Sequence, residues 1–243
     1  MPSADTSDTA TLARHGEIWA VRPELRRVYQ EWFGWLLDAV AGLAPVVEVG
    51  SGPGFFKDFA PRLVATDITP GARADVRCDA CALPFGTASV GALVMVDALH
   101  HLPHPLIFMA EAARVLRPGG RLAMVEPWVT PASFLLYRYF HHEDCRLGID
   151  VARPFGDPGK RALDGNSAIP RLVLRRWQRD GGPLRLIRSR TTFLTTHRPS
   201  PLRLCDAVWS VEGGSVVKLD AAKLMTRNDG NWPTASQSAH QPG

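Results

Sequence analysis

The stretch Val46-Val47-Glu48-Val49-Gly50-Ser51-Gly52-Pro53-Gly54 decides how this chain is read. A short apolar run passes directly into a turn with glycine at every second position. Such a run suits a buried strand, and the glycines let the backbone turn tightly and approach a ligand. Two familiar ligands do not fit. A dinucleotide loop, G-x-G-x-x-G, needs a final glycine where Phe55 stands. A phosphate loop needs Lys and Ser or Thr after its last glycine, but Phe55 and Phe56 follow Gly54. The carboxylate of Glu48 would also repel a polyphosphate and suits a cationic ligand instead.

Three further apolar runs follow, at 63–66, 92–96 and 122–125, and each ends on an acid: Asp67, Asp97 and Glu126. Between them lie helical stretches, the clearest at 105–116, stopped by Pro118-Gly119-Gly120. Continuous apolar strands alternating with helices predict an α/β fold with a parallel sheet and right-handed crossovers. From Asp67 to Val76 there is too little chain for a full helix. Asp67, at the end of the second strand, would lie beside the glycine loop, where it can accept hydrogen bonds from ribose hydroxyls. Asp79 could hold a purine amino group. A cationic centre, a ribose and an adenine together describe S-adenosylmethionine.

The flanks read differently. Residues 1–12 are small and polar and are expected as a disordered tail. Residues 13–43 have helical spacing with Trp19, Tyr29, Trp32 and Trp35, which predicts a helical N-terminal lid. The main domain is expected over 44–227, with an insertion at about 128–182 and a disordered tail at 228–243. Within the insertion, 131–140 reads as an aromatic helix, 141–165 as a Gly/Pro/Asp-rich loop and 166–179 as a basic helix. Segments 184–194 and 221–227 read as late strands.

Composition narrows the classes. The chain has 243 residues, 45% hydrophobic and 21% charged, enough to bury a core. No apolar run approaches about 18 residues, so no membrane span is expected. An acidic start, with no apolar core behind it, does not resemble a signal peptide, and a cytoplasmic location is expected. Of the 28 basic residues only Lys57, Lys160, Lys218 and Lys223 are lysines, and the arginines are scattered. Cys78 and Cys81 form a C-x-x-C pair without a second pair to complete four zinc ligands, so no metal is expected.

In order, VVEVGSGPG, LVATD, CDACALPF, VMVDALHHL and EAARVLRPGGRLAMVEP resemble the class I S-adenosylmethionine-dependent methyltransferases, over roughly residues 46–127. The likeness is greatest to the small-molecule, quinone-methyltransferase-like branch. The resemblance implies a Rossmann-like, doubly wound seven-stranded sheet, mostly parallel with an antiparallel last strand. It implies S-adenosyl-L-methionine as cofactor. Glu48, Gly50, Ser51, Gly52 and Gly54 would line the methionine moiety, and Asp67 and Ile68 the ribose side. Asp79 and Ala80 would meet the adenine, while Asp97 and Ala98 would border the sulfonium.

Methyl transfer to a hydroxyl needs a general base, and His serves near neutral pH. Candidates are His141 and His142, beside Glu143 and Asp144, together with His100 and Glu126 at strand ends. Adjacent histidines point apart on a helix or strand, which disfavours a metal there. Trp19, Tyr29, Trp32, His101, Trp128 and Tyr137 are the candidate acceptor-binding residues. Their aromatic character favours an aromatic or polyketide-like acceptor, methylated at oxygen, in secondary metabolism. Carbon methylation of a quinone-like ring is the alternative, followed by a non-methylation reaction such as cyclisation. An RNA or protein substrate comes last, because Asp97-Ala98-Leu99-His100 stands where amino-group methyltransferases of nucleic acid carry N-P-P-Y or D-P-P-Y. A small-molecule acceptor and a monomer or homodimer are expected.

Overall fold

The computed structural model describes residues 6–130, 134, 144–154, 163–185, 188–190, 208–212 and 215–219. Two helices open the chain, α1 (Thr6–Val21) and α2 (Pro23–Ala39). Pro23 sits in the first turn of α2, where its missing N–H costs nothing. β1 (Val46–Val49), α3 (Phe55–Phe59), β2 (Val64–Asp67), β3 (Val76–Arg77), β4 (Val90–Val96), α4 (Pro105–Val115) and β5 (Leu116–Val125) then build a sheet. α5 (Ile169–Arg179) follows. As the short interval predicts, no helix joins β2 to β3.

The sheet runs β3-β2-β1-β4-β5, with every neighbouring pair parallel. Its order reverses between β1 and β4, paired Val46↔Ala92 to Glu48↔Val94. That reversal opens a crevice at the carboxyl ends of the strands. β4 explains why the sheet is covered twice. Leu93 and Met95 enter one core with Phe108, Met109, Ile169 and Val173, from α4 and α5. Ala92 and Val94 enter the other with Phe33, Leu36 and Phe56, from α2 and α3. Gly91 in β4 has no room for a side chain, since a Cβ there would lie 2.6 Å from the Ala44 backbone.

The seven-stranded expectation is corrected in number and direction. Among the described residues the sheet has five strands and no antiparallel member. The chain also divides into two compact units, Met1–Leu184 and Arg185–Gly243. In the second unit, β6 (Arg188–Arg190), β7 (Val208–Glu212) and β8 (Ser215–Leu219) form their own antiparallel sheet. Among the described residues these strands hydrogen-bond to one another alone, so none extends the parallel sheet.

The start of the chain also departs from expectation, because α1 begins at Thr6, inside the stretch read as a loose tail. Its first turns have partners. Thr9 Oγ1 donates to the Pro70 carbonyl at 3.0 Å, and Leu12 is buried. Asp8 lies in the first turn, where the helix dipole favours an acid. Segments 221–227 and 228–243 lie outside the described residues.

The second core rests on aromatic packing. Phe33 of α2 stacks on Phe56 of α3, with centroids 4.3 Å apart and planes 6° from parallel, and both rings are buried. Phe33→Ala should therefore cost about 3–5 kcal/mol of unfolding free energy. Urea titration would measure it, and a loss below about 1 kcal/mol would show that this core does not hold α2 in place.

Candidate functional site: a cofactor crevice at the carboxyl edge of the sheet

The loop after β1 is pinned from both sides. Gly50 N and Ser51 N both donate to the Thr66 carbonyl of β2, at 2.9 and 3.0 Å. Thr66 Oγ1 donates back to the Glu48 carbonyl at 2.7 Å. Asp67, the last residue of β2, accepts from Gly52 N at 2.8 Å through one oxygen and from Thr69 N at 2.7 Å through the other. Gly52 and Gly54 have φ of +49° and +81°, a backbone region that glycine enters without strain. A Cβ on Gly50 would lie 2.7 Å from the Ala98 Cβ, so that glycine is what lets the β4 exit close against the loop.

Glu48 lies on β1 directly beneath this loop and is 4% exposed. Its Oε2 is buried and accepts no hydrogen bond among the described residues. Burial, with the nearby charge of Asp67 second, pushes its carboxyl up to about 8. A buried acid with an open acceptor oxygen suits a cationic group that would replace the lost hydration. The ammonium end of an S-adenosyl amino acid is such a group. The residues present therefore fit that cofactor.

The adenine side is built by β3. Its register with β2, Thr66↔Val76 and Asp67↔Arg77, sets Asp79 and Ala80 just past the same edge. Asp79 is exposed and caps its own turn, accepting from Cys81 N at 2.8 Å, and Ala80 is buried. Ile68, beside Asp67, is 43% exposed, an uncommon state for a large apolar residue next to a ribose-type acid. The C-x-x-C thiols are half-buried and free, and burial pushes Cys81 up to about 12. A thiol held protonated is a poor nucleophile and a poor metal ligand.

Asp97 directly follows β4 with φ of +49°, a left-handed geometry that Asp tolerates better than most residues. Its Oδ2 accepts from Tyr29 Oη of α2 at 3.2 Å, so α2 reaches the crevice at this acid. Next to it, Glu126 at the end of β5 turns inward. Its Oε1 accepts from Ala98 N and Leu99 N at 2.8 and 2.6 Å, and its Oε2 lies 2.7 Å from His100 Nδ1. Both side chains are nearly sealed, at 2% and 4% exposure.

The structure thus gathers Glu48, Gly50, Ser51, Gly52, Gly54, Asp67, Asp97 and Ala98 at one edge, with Ile68, Asp79 and Ala80 adjoining. Trp19 stacks flat on Phe55 at 3.9 Å and meets Tyr29 edge-on, so it docks α1 on α3. Trp32 packs against Tyr29 at 4.8 Å, and Trp128 is half-buried just past β5. His101 is half-buried with its ring 4.1 Å from that of His100. His141, His142 and Tyr137 lie outside the described residues, as does most of the expected helix at 131–140. Sequence reasoning missed Thr66 and Tyr29 Oη as loop and acid partners, and no spacing signal marks either. Among the described residues no group of acids, histidines and cysteines is arranged to hold a metal.

Residues 47–124 match the family described as a methyltransferase domain. Over 146 residues, 52% of either chain, the sequence is 32% identical to a probable S-adenosylmethionine-dependent methyltransferase of Mycobacterium tuberculosis. A 54-residue stretch, 22% of this chain and 20% of the relative, is 43% identical to the 27-O-demethylrifamycin SV methyltransferase of Amycolatopsis mediterranei. The chain thus spans at most about half the length of these curated relatives. A solved structure from Thermotoga maritima, titled a SAM-dependent methyltransferase and possible histamine N-methyltransferase, superposes with a TM-score of 0.52. It covers 87% of this chain and 91% of its own at 15% identity, a likeness of fold. The segment 47–124 is accordingly a class I S-adenosylmethionine-dependent methyltransferase domain, and S-adenosyl-L-methionine is the cofactor of that class.

Glu48 makes stability depend on pH. Its folded pKa of about 8 stands above the ordinary 4.5, so between those values the folded chain holds a proton that the unfolded chain has lost. Its contribution therefore favours folding at low pH and is lost as pH rises through that window. Urea denaturation of the ligand-free protein should show stability falling from pH 5.5 to 8 by more than in Glu48→Gln. Equal slopes in the two proteins would show that Glu48 ionises normally.

Proposed function

We propose that this protein transfers the methyl group of S-adenosylmethionine to the oxygen of a small aromatic or polyketide-like acceptor. The observation that carries the reading is the buried, open Oε2 of Glu48 beneath a positive-φ glycine loop at the sheet's reversal point. When bound, S-adenosyl-L-methionine supplies a methyl group on a positively charged sulfur, ready for in-line displacement. The chain's part is binding, alignment and proton removal. Glu48 would face the ammonium group, and Asp67, already fixed by Gly52 N and Thr69 N, would take the ribose hydroxyls. Asp79 and Ala80 would meet the adenine edge. Asp97 and Ala98 would border the reacting centre, with Tyr29 holding Asp97 from the lid.

Proton removal falls to His141 or His142, in the segment that follows β5. The acceptor hydroxyl gives its proton to the imidazole while its oxygen takes the methyl. Trp32, His101, Trp128 and Tyr137 would form the acceptor side, with Tyr29 and Trp19 completing the aromatic wall. The Amycolatopsis relative is, by its printed name, a methyltransferase of 27-O-demethylrifamycin SV, and this 54-residue likeness supports oxygen as the atom methylated.

S-adenosylhomocysteine should raise the melting temperature of the wild-type protein, reflecting about 2.7 kcal/mol at one hundred times its Kd. Asp67→Ala should abolish the rise, and an unchanged wild-type melting temperature would refute cofactor binding. Once an acceptor turns over, replacing His141 and His142 singly by Ala should lower kcat by about 10²–10⁴ in one variant. Full activity in both would remove these histidines from the mechanism.

A further inference from the structure

The Glu126–His100 contact has no part in proton removal as laid out above, although both groups carry catalytic chemistry. Their burial argues against exchange of protons with an acceptor, since His100 is 2% exposed and its Nδ1 is engaged. Both oxygens of Glu126 are committed, one to two backbone N–H groups and the other to the imidazole. The two amides belong to Ala98 and Leu99, the residues directly after the strained Asp97. A single carboxylate thus fixes the turn that borders the reacting centre.

His100 is held in its turn by the segment beyond β5. Asn166 N donates to the His100 carbonyl at 3.0 Å. Gly165 lies flat on the two imidazoles, so a Cβ there would sit 2.8 Å from His100 Cδ2 and 3.0 Å from His101 Cε1. Asn166 is itself fully used: Oδ1 accepts from Arg146 N and Ala168 N, and Nδ2 donates to the Arg146 carbonyl. Gly165 and Asn166 are therefore seated on the residue that supports the cofactor turn.

We propose that Glu126 and His100 are a positioning couple. They lock the Asp97–Leu99 turn in its cofactor-binding geometry and tie it to Gly165 and Asn166. The inference rests on the methyl-transfer reading. His100 acts through Glu126, as an N–H donor that keeps the carboxylate aimed at the two amides. A shape-filling residue without that donor would leave Glu126 free to turn away, and the turn would open more often.

The test compares His100→Leu, which keeps bulk and removes the donor, with His100→Asn, whose amide nitrogen stands about where Nδ1 does. Affinity for S-adenosylhomocysteine is measured by calorimetry, and exchange of the Ala98 and Leu99 amides by NMR. His100→Leu should weaken binding and speed exchange at both amides by at least about tenfold, with His100→Asn within about threefold of wild type. Wild-type behaviour in His100→Leu overturns the proposal, as does equal loss in both variants, which would mark a packing role only. If His100→Leu does not fold, Glu126→Asp is measured in the same way. Its shorter arm cannot reach all three donors, and wild-type exchange there likewise overturns the proposal. Failure of the wild-type protein itself to bind S-adenosylhomocysteine defeats the methyl-transfer reading instead, while the exchange rates still decide whether the couple holds the turn.

Discussion

Asp67 holds the glycine loop to the end of β2 through Gly52 N, with its other oxygen fixed by Thr69 N, and the geometry of the crevice follows from that bridge. With the loop held, Glu48 beneath it is sealed from water, and one of its oxygens is left without a donor. Burial, with the nearby charge of Asp67 second, makes ionisation of Glu48 costly and pushes its carboxyl up to about 8. A cation entering the crevice would relieve that cost. The site is thus electrostatically incomplete in a way that specifies its ligand, whereas many glycine loops specify only space.

The same logic of supported acids runs along the sheet edge. Asp67 ends β2, and Asp97 and Glu126 directly follow β4 and β5. Each carboxylate is aimed by something outside its own strand: backbone amides for Asp67, the Tyr29 hydroxyl for Asp97, and two amides with an imidazole for Glu126. Strands set where these acids emerge, and neighbouring turns set where they point. Around them, the Lys57–Asp75 and Arg73–Asp58 pairs tie α3 to the segment between β2 and β3. These pairs are partly or largely exposed and add little stability. Their contribution is to close the loop's outer side.

Much of the cofactor half was legible before the structure was seen, because its signals are local. Unbroken apolar runs ending in Asp67, Asp97 and Glu126 marked buried parallel strands, and the missing helix after Asp67 could be read from chain length alone. What sequence could not supply was long-range. Nothing in the pattern shows that α1 starts at Thr6, since its early turns are held by Pro70 and packed beside Gly52, forty or more residues away. Tyr29 reaching Asp97 is contact of the same kind. Of the late strands, β6 lies within the expected 184–194, whereas β7 and β8 were missed for another reason. Gly213-Gly214 between two β-branched runs is a hairpin signal that composition arguments about a basic C-terminal region overlooked. The family pattern then suggested that a late strand would join the main sheet. The pairing found is among β6, β7 and β8 themselves.

The arginine excess also takes a more modest meaning. Arg114 clamps Glu111 and the Leu83 carbonyl, Arg171 donates to the Val129 carbonyl, and Arg176 pairs with Asp180. Arg114 and Arg171 thus join elements to one another, Arg176–Asp180 closes the end of α5, and the acids gathered at the crevice oppose them in charge. Calorimetric titration of the wild-type protein with S-adenosylhomocysteine, near pH 7 in two buffers of different ionisation enthalpy, tests the central claim most directly. Binding should release about one proton per site, because Glu48 is protonated without ligand and ionises opposite the ammonium group. Absence of binding, or binding with no proton released, would contradict the account.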